Sequence, residues 1–359
     1  MDAARRRFIP DVRAGNKFAG QPVSRYEAAL TPPQKGTHMT EVKKDDRNSL
    51  EGILDRDIDR RGFLKCMQWA GGGVVWGFAG GVPASRLLGA QPAKMRAEDF
   101  AFVQISDSHI GFDKPANADV NATFQAAADK INALDRQPDF ILHTGDLSHL
   151  AKASEFDTLD QLLKGVRQKQ VFFVPGEHDL LGDDGKQYLE RFGKSTIGRG
   201  WQSFDHKGVH FIGLNNSAQL EGMGALGDEQ LAWIKSDVAK LGASTPIVVF
   251  AHIPLWAAYP EWGWATKDSA QALNMLQRFG SVTVLNGHIH QVMQKVEGNV
   301  TFHSAMSTAF PQPAPGSAPA PGPMKVPADK LRDVLGIRSV HFMAGSHNLA
   351  VVDTPLSAA

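Results

Sequence analysis

The sequence predicts an α/β fold, and two observations carry the prediction. From Phe100 onward, short runs rich in β-branched and aromatic residues alternate with stretches whose apolar residues recur at helical spacing. Later in the chain, strand-like runs come in pairs around Lys207-Gly208 and Gly298-Asn299, which are hairpin turn sequences. Alternation with helices favours a sheet covered on its faces, and the hairpins add antiparallel strands to it.

Taken in order, Phe102-Val103-Gln104-Ile105 reads as the first strand. A helix follows, carrying Val120, Phe124, Ala127, Ile131 and Leu134. Phe140-Ile141-Leu142 is the next strand, then a helix with Phe156, Leu159, Leu163 and Val166, then Val171-Phe172-Phe173-Val174. Residues 201–214 form the first hairpin, and residues 228–241 a helix with Leu231, Ile234, Val238 and Leu241 on one side. Residues 247–251 and 282–285 are buried strands, and residues 292–304 the second hairpin. Residues 311–327, rich in Pro, Ala and Gly, form an excursion loop, because strand-like runs at 339–342 and 349–352 still follow. A single domain over residues 91–359 is expected.

Lys plus Arg and Asp plus Glu both number 38, which argues against a nucleic-acid-binding patch and against an acidic tail. The sole cysteine, Cys66, excludes a disulfide framework within the chain. Arg60-Arg61-Gly62-Phe63-Leu64-Lys65 precedes a weakly apolar, glycine-rich stretch at 66–84 and the small-residue end Leu88-Gly89-Ala90. That order is the layout of a secretory signal. The glycines lower helix propensity and argue against a stable membrane span. The arginine pair resembles the twin-arginine type, which implies the twin-arginine export machinery as partner and a periplasmic destination. Residues 60–90 are thus the expected address, with retention as a signal anchor the alternative. Residues 1–59 are an extension and the charged start of the signal. Of these, residues 1–38 are expected to be disordered or untranslated, with Met39 a serviceable start.

Five motifs sit at the ends of expected strands, where open α/β sheets place their ligands. Asp107-Ser108-His109 follows the first strand, and residues two apart on an extended chain can grip one ion. Gly145-Asp146 follows the second, with a carboxylate whose two oxygens can bridge two cations. Gly176-Glu177-His178-Asp179 follows the third. His252 ends the run 247–251, and Gly287-His288-Ile289-His290 follows 282–285. Mixed carboxylate and imidazole donors suit Zn, Fe or Mn better than calcium. Each motif alone is commonplace; five in order at strand ends are not. No Gly-x-Ser-x-Gly nucleophile elbow competes with this reading.

Together the motifs resemble the calcineurin-like metallophosphoesterase superfamily over residues 100–353. Gln104 to Ile110 and Asn286 to His290 are most similar to its cyclic-nucleotide phosphodiesterase branch. The resemblance implies a four-layer α/β/β/α sandwich of two mixed sheets with outer helices. It implies two metal ions, divalent or mixed-valence, one on Asp107, His109, Asp146 and His290, the other on Asp146, Glu177, His252 and His288. It implies His178 as a donor beside the phosphate, oriented by Asp179, and a metal-bridging hydroxide that hydrolyses a small-molecule phosphomonoester or phosphodiester.

Two positions depart from the family pattern. Asparagine is usual where this chain has Glu177, which adds a negative charge expected to hold metals more firmly and to oppose a phosphate. His149 stands where an acid is frequent, and is expected to be a hydrogen-bonded structural histidine or to tune the site. The alternative to an enzyme is a weakly active or inactive metal-binding scaffold of the same fold, which Glu177 alone supports. His143 is expected in the core. His303 is weighed as a neighbour of the site. Trp256, Tyr259, Trp262 and Trp264 are either a self-packed loop or a wall for a leaving group.

Overall fold

Period-two alternation along the central strands sorts their side chains between two cores, and the layering follows from it. A computed structural model describes residues 74–79, 82–87, 99–220, 222–344 and 349–358. In β3 (Phe100–Ile105), Phe100 and Phe102 belong to one apolar cluster, while Val103 and Ile105 belong to another. In β8 (Ile247–Ala251), Val248 and Phe250 join the cluster of Phe100 and Phe102, whereas Ile247 and Val249 face a third.

The shared cluster is the interface between two mixed sheets. One sheet orders its strands β13 (Ala350–Pro355), β12 (Gly336–Phe342), β3, β4 (Phe140–Thr144) and β5 (Val171–Val174). The other runs β10 (Met293–Glu297), β11 (Val300–Ser304), β9 (Val282–Asn286), β8, β7 (Val209–Leu214) and β6 (Gln202–His206). Strands β3, β4 and β5 are parallel, as are β7, β8, β9 and β11, and the remaining pairs are antiparallel.

Helices cover the outer faces. Phe124, Ala127 and Ile131 of α1 (Val120–Asn132) and Phe156 and Leu159 of α2 (Ala153–Lys164) pack on the five-stranded sheet. The shorter α3 (Lys186–Phe192) buries Tyr188 in the same core. Leu231, Ile234 and Val238 of α4 (Gly227–Val238) and Ala272 and Leu276 of α5 (Ser269–Leu276) pack on the six-stranded sheet. The result is the expected four-layer α/β/β/α sandwich. α3 and α5 lie where no helix was expected; with 7 and 8 residues, neither is long enough for strong periodicity. The hairpins turn at the expected places, with Lys207 and Gly208 both at positive φ (46° and 83°).

The address region is described only in part. β1 (Val74–Ala79) and β2 (Val82–Leu87) pair antiparallel, Val74 opposite Leu87, in a unit separate from residues 91–359. The rest of it, Arg60-Arg61 included, lies outside the described residues, as does the extension at 1–59. Among the described residues, no helix is long and apolar enough to cross a membrane.

Between the sheets, aromatic rings dominate. Phe102 stacks on Phe140 at 5.1 Å, and Phe204 on Phe211 at 4.8 Å; such pairs add about 0.5–1.5 kcal/mol beyond area burial. Arg338 of β12 is the polar exception, only 1% exposed. Its guanidinium donates to both oxygens of Asp353 (2.8 and 2.9 Å), to Gln104 Oε1 (3.2 Å) and across the interface to the Ser304 carbonyl of β11 (2.8 Å). Gln104 Nε2 in turn donates to Thr144 Oγ1 (3.0 Å) and to the Asn286 carbonyl of β9 (3.2 Å). This clasp joins the two sheets near the strand ends that carry the site.

Two outcomes are expected. Arg338→Met leaves Asp353 and Gln104 without their donor and should cost about 3 kcal/mol in urea unfolding; an unchanged midpoint would refute the clasp. His210, buried on β7, has Asp205 Oδ1 2.7 Å from Nδ1 and Asp237 Oδ2 2.9 Å from Nε2. Burial alone would lower its pKa, but the two carboxylates raise it above the ordinary 6.5. The stabilisation is therefore complete below that value and fades as pH rises through the raised one. His210→Gln should destabilise more at pH 5.5 than at pH 8.5, measured by denaturant midpoint.

Candidate metal centre

Every expected ligand stands just past the C-terminal end of a parallel strand. Asp107 and His109 follow β3, Asp146 follows β4, and Glu177 opens a 3-10 turn (Glu177–Leu180) after β5. His252 follows β8, and His288 and His290 follow β9. The five-stranded sheet thus supplies four of these side chains and the six-stranded sheet three.

The seven converge as two groups that share one carboxylate. In the first, His290 Nε2 is 3.2 Å from Asp107 Oδ1 and 3.3 Å from His109 Nε2. In the second, Glu177 sets Oε2 3.0 Å from His252 Nε2 and Oε1 2.9 Å from His288 Nδ1, and those two ring nitrogens are 3.3 Å apart. Asp146 Oδ2 lies 3.4 Å from His109 Nε2 and 3.3 Å from His252 Nε2, so a single oxygen faces both groups.

The donor chemistry fits cations. His252 Nδ1 donates to the Thr144 carbonyl (2.7 Å) and His290 Nδ1 to the Phe310 carbonyl (2.6 Å), which turns each Nε2 lone pair toward the site. Asp107 Oδ2 is buried with no hydrogen-bond partner. Burial, with His178 and His290 nearby, holds the His109 imidazole well below its ordinary pKa, in the neutral form that a ligand needs. Burial would raise Asp107 and Glu177, but the facing imidazoles reverse it, bringing Asp107 to about 2 and Glu177 well below the usual carboxylate range. Burial would lower His252, yet Asp146 and Glu177 hold it well above its ordinary value. The cluster draws positive charge into its centre.

The backbone at the site is unusual. Five of the seven candidate ligands adopt positive φ: Asp107 (54°), His109 (39°), Asp146 (51°), His288 (66°) and His290 (57°). For residues other than glycine this costs on the order of 1–3 kcal/mol each and persists only where neighbours enforce it. The enforcement is visible. Asp107 N–H donates to the Gly145 carbonyl (3.0 Å), His109 N–H to the Asp146 carbonyl (2.9 Å), and His288 N–H to Asp107 Oδ1 (3.0 Å). Gln312 Nε2 donates to the His288 carbonyl (2.9 Å), tying the proline-rich loop to a ligand turn. Two glycines make the approach possible. A Cβ on Gly176 would stand 2.0 Å from Asp146 Oδ1, and one on Gly287 2.0 Å from Ser106 Oγ.

Asp179 requires a correction. It does not orient the His178 ring. Fully buried, its carboxylate accepts from the N–H groups of Leu147 (3.0 Å), Ser148 (2.8 Å) and Gly176 (3.0 Å) and from Ser148 Oγ (2.9 Å). Three residues past Gly176 in a 3-10 turn, it lies against the Asp146 loop and ties that loop to its own. Burial first, and Asp146 second, push its pKa up to about 7 against the pull of those donors. His178 is oriented instead by the His149 carbonyl, which accepts from its Nδ1 at 2.6 Å. The His149 ring stacks on His178 (centroids 4.9 Å, planes 18° apart), and its Nδ1 lies 3.5 Å from His109 Nδ1.

The other singled-out residues lie as follows. His143 is fully buried, its Nε2 2.7 Å from Ser108 Oγ. His303 lines a cavity of about 280 Å³ with Thr283, Gln294, Thr301 and Asp353 and joins neither ligand group. Trp256 and Trp264 are buried in the core of the six-stranded sheet, and Tyr259, Trp262 and Trp264 pack ring against ring, which makes the aromatic loop self-packed. Phe310 carried no sequence signal. Its carbonyl holds His290, and its ring stacks on His109 at 4.8 Å.

Asp179→Asn keeps the shape but turns an amide NH2 toward N–H groups. It should weaken metal retention at least about tenfold and cost about 2 kcal/mol of stability, measured by elemental analysis after dialysis and by urea unfolding. Full retention of both would refute the tie.

Comparison with known proteins agrees with this architecture. Residues 100–292 match the family model described as calcineurin-like phosphoesterase. A 3',5'-cyclic-nucleotide phosphodiesterase of Nostoc sp. is 25% identical over 216 residues, 58% of this chain and 79% of that protein. The glycerophosphodiester phosphodiesterase GpdQ of Enterobacter lignolyticus is 24% identical over 205 residues, 54% of this chain and 71% of its own length. Among solved structures, a dimetal phosphatase from Danio rerio superposes with a TM-score of 0.53 at 12% identity, covering 72% of this chain and 96% of that one. With two mixed sheets under helices and a metal-binding constellation at the strand ends, this chain belongs to the calcineurin-like phosphoesterase family and is a hydrolase of phosphoesters.

Proposed function

We propose that the protein is an exported, two-cation hydrolase of small phosphodiesters. The observation that carries the reading is the single Asp146 oxygen facing both ligand groups at 3.3–3.4 Å. Asp107, His109, Asp146 and His290 would hold one ion, and Asp146, Glu177, His252 and His288 the other, with Mn, Fe or Zn suited to the donors. When bound, two such ions would supply an activated water and neutralise charge on phosphoryl oxygens.

The chain's own residues supply the rest. His178 has Nδ1 committed to the His149 carbonyl, leaving Nε2 free for substrate. Burial would lower its pKa, but in the metal-free protein Asp146 and Glu177 raise it, toward the protonated ring. Such a ring can donate to a phosphoryl oxygen and hand its proton to the departing alkoxide. The P–O bond to one alcohol breaks, water supplies the replacing oxygen, and the proton that water loses restores the ring. Preference for diesters is supported by the two relatives named as phosphodiesterases. Export is supported by Arg60-Arg61 and the glycine-rich stretch after it. Against an inert scaffold, His178 is present, and Glu177 reaches into the second group beside His252 and His288.

Protein loaded with Mn, Fe or Zn should retain two ions per chain and cleave chromogenic diesters. His178→Ala should lower kcat about 10²–10⁴-fold with metal content unchanged. Loss of metal in parallel with activity would refute the role given to His178, and one ion per chain would refute the two-cation reading.

A further inference from the structure

Glu177 is the one ligand whose charge departs from the family pattern, and its geometry shows where that charge sits. Both carboxylate oxygens engage ligand nitrogens, Oε2 on His252 at 3.0 Å and Oε1 on His288 at 2.9 Å. The side chain is 22% exposed, so the charge lies within the second group and not out in solvent. Among the described residues, no hydrogen-bond or ion-pair partner of the seven ligands or of His178 is a lysine or arginine. The nearest lysine effect is that of Lys114 on His149, which stacks on His178, so the charge of an arriving phosphate falls first to the cations and the histidines.

We propose that Glu177 is a charge filter, a specificity-determining residue that, relative to a neutral amide at that position, shifts the site away from doubly charged phosphomonoesters and inorganic phosphate and toward singly charged phosphodiesters. The inference rests on the two-cation reading above. Three carboxylates (Asp107, Asp146 and Glu177) set against two divalent cations leave one net positive charge, where a neutral amide at position 177 would leave two. Coulomb attraction scales with the product of charges. Removing one positive charge from the site therefore costs a dianion twice what it costs a monoanion. Burial keeps the term from being screened away. The same arithmetic applies to the product: cleavage of a diester creates a monoester that gains a second charge, and Glu177 holds it less tightly than a neutral amide at that position would.

The test compares wild-type protein with Glu177→Gln and Glu177→Asn, all loaded with one divalent metal. Elemental analysis gives ions per chain, calorimetry gives the affinity for inorganic phosphate, and kcat/KM is taken for bis(4-nitrophenyl) phosphate and 4-nitrophenyl phosphate. The filter predicts two ions throughout, phosphate binding about tenfold or more tighter in the variants, and a diester-to-monoester ratio lower by a similar factor. Unchanged phosphate affinity in variants that keep two ions overturns it, as does a trivalent ion in the wild type that cancels the extra charge. Should the variants lose an ion, the measurements are repeated at saturating free metal; unchanged phosphate affinity in the refilled variants overturns the filter, and variants that still hold fewer than two ions overturn it as well, because the charge then serves metal retention. Wild-type protein that holds fewer than two ions, or cleaves neither ester, fails the functional reading itself and removes the filter with it.

Discussion

The shared carboxylate of Asp146 is the constraint on which the site depends. One oxygen faces His109 and His252, which come from different sheets, and the other accepts the His178 N–H at 3.0 Å. Both ligand groups and the candidate proton donor are therefore positioned against a single side chain. Its loop can do this because Gly145 precedes it, Gly176 admits it closely, and Asp179 fastens the peptide groups that follow it. Displacing that loop by an ångström would disturb all three relationships together.

Strain and satisfaction are balanced locally. Five ligands hold positive φ, and the N–H and C=O groups of the same turns bond to one another across the loops. Asp179 belongs to this system. Its four donors come from two loops, and a buried carboxylate with that many donors organises backbone more than it moves protons. His178 takes its orientation from a backbone carbonyl for the same reason, since the turn carrying His149 is already fixed by His149 N–H donating to Ile110.

Much of this was legible in the sequence, and the failures have physical causes. Strand positions followed from period-two patterns, and the seven side chains that converge past the strand ends followed from short motifs there. What escaped were relationships that sequence spacing cannot express. Asp179 is adjacent to His178 in the chain, yet in a 3-10 turn neighbouring side chains diverge, and its carboxylate points back to the Asp146 loop. Phe310 and Gln312 act through a carbonyl and a long amide on ligand turns about twenty residues away. Arg338 precedes the expected strand run at 339–342 and carries no signal of its own, while its partners Gln104 and Ser304 come from other strands, one of them across the interface. His149 lies three residues past Asp146, and that short spacing is the signal for its place beside His178.

The division of ligands between the sheets has a thermodynamic consequence. Four donors belong to one sheet and three to the other, so cations seated among them would rivet the sandwich at its open end. Ion occupancy and resistance to heat then become a single variable. By mass action, each tenfold rise in free ion above the dissociation constant adds about 1.4 kcal/mol to the folded state. In a compartment where metal supply fluctuates, the lifetime of the protein would follow that supply.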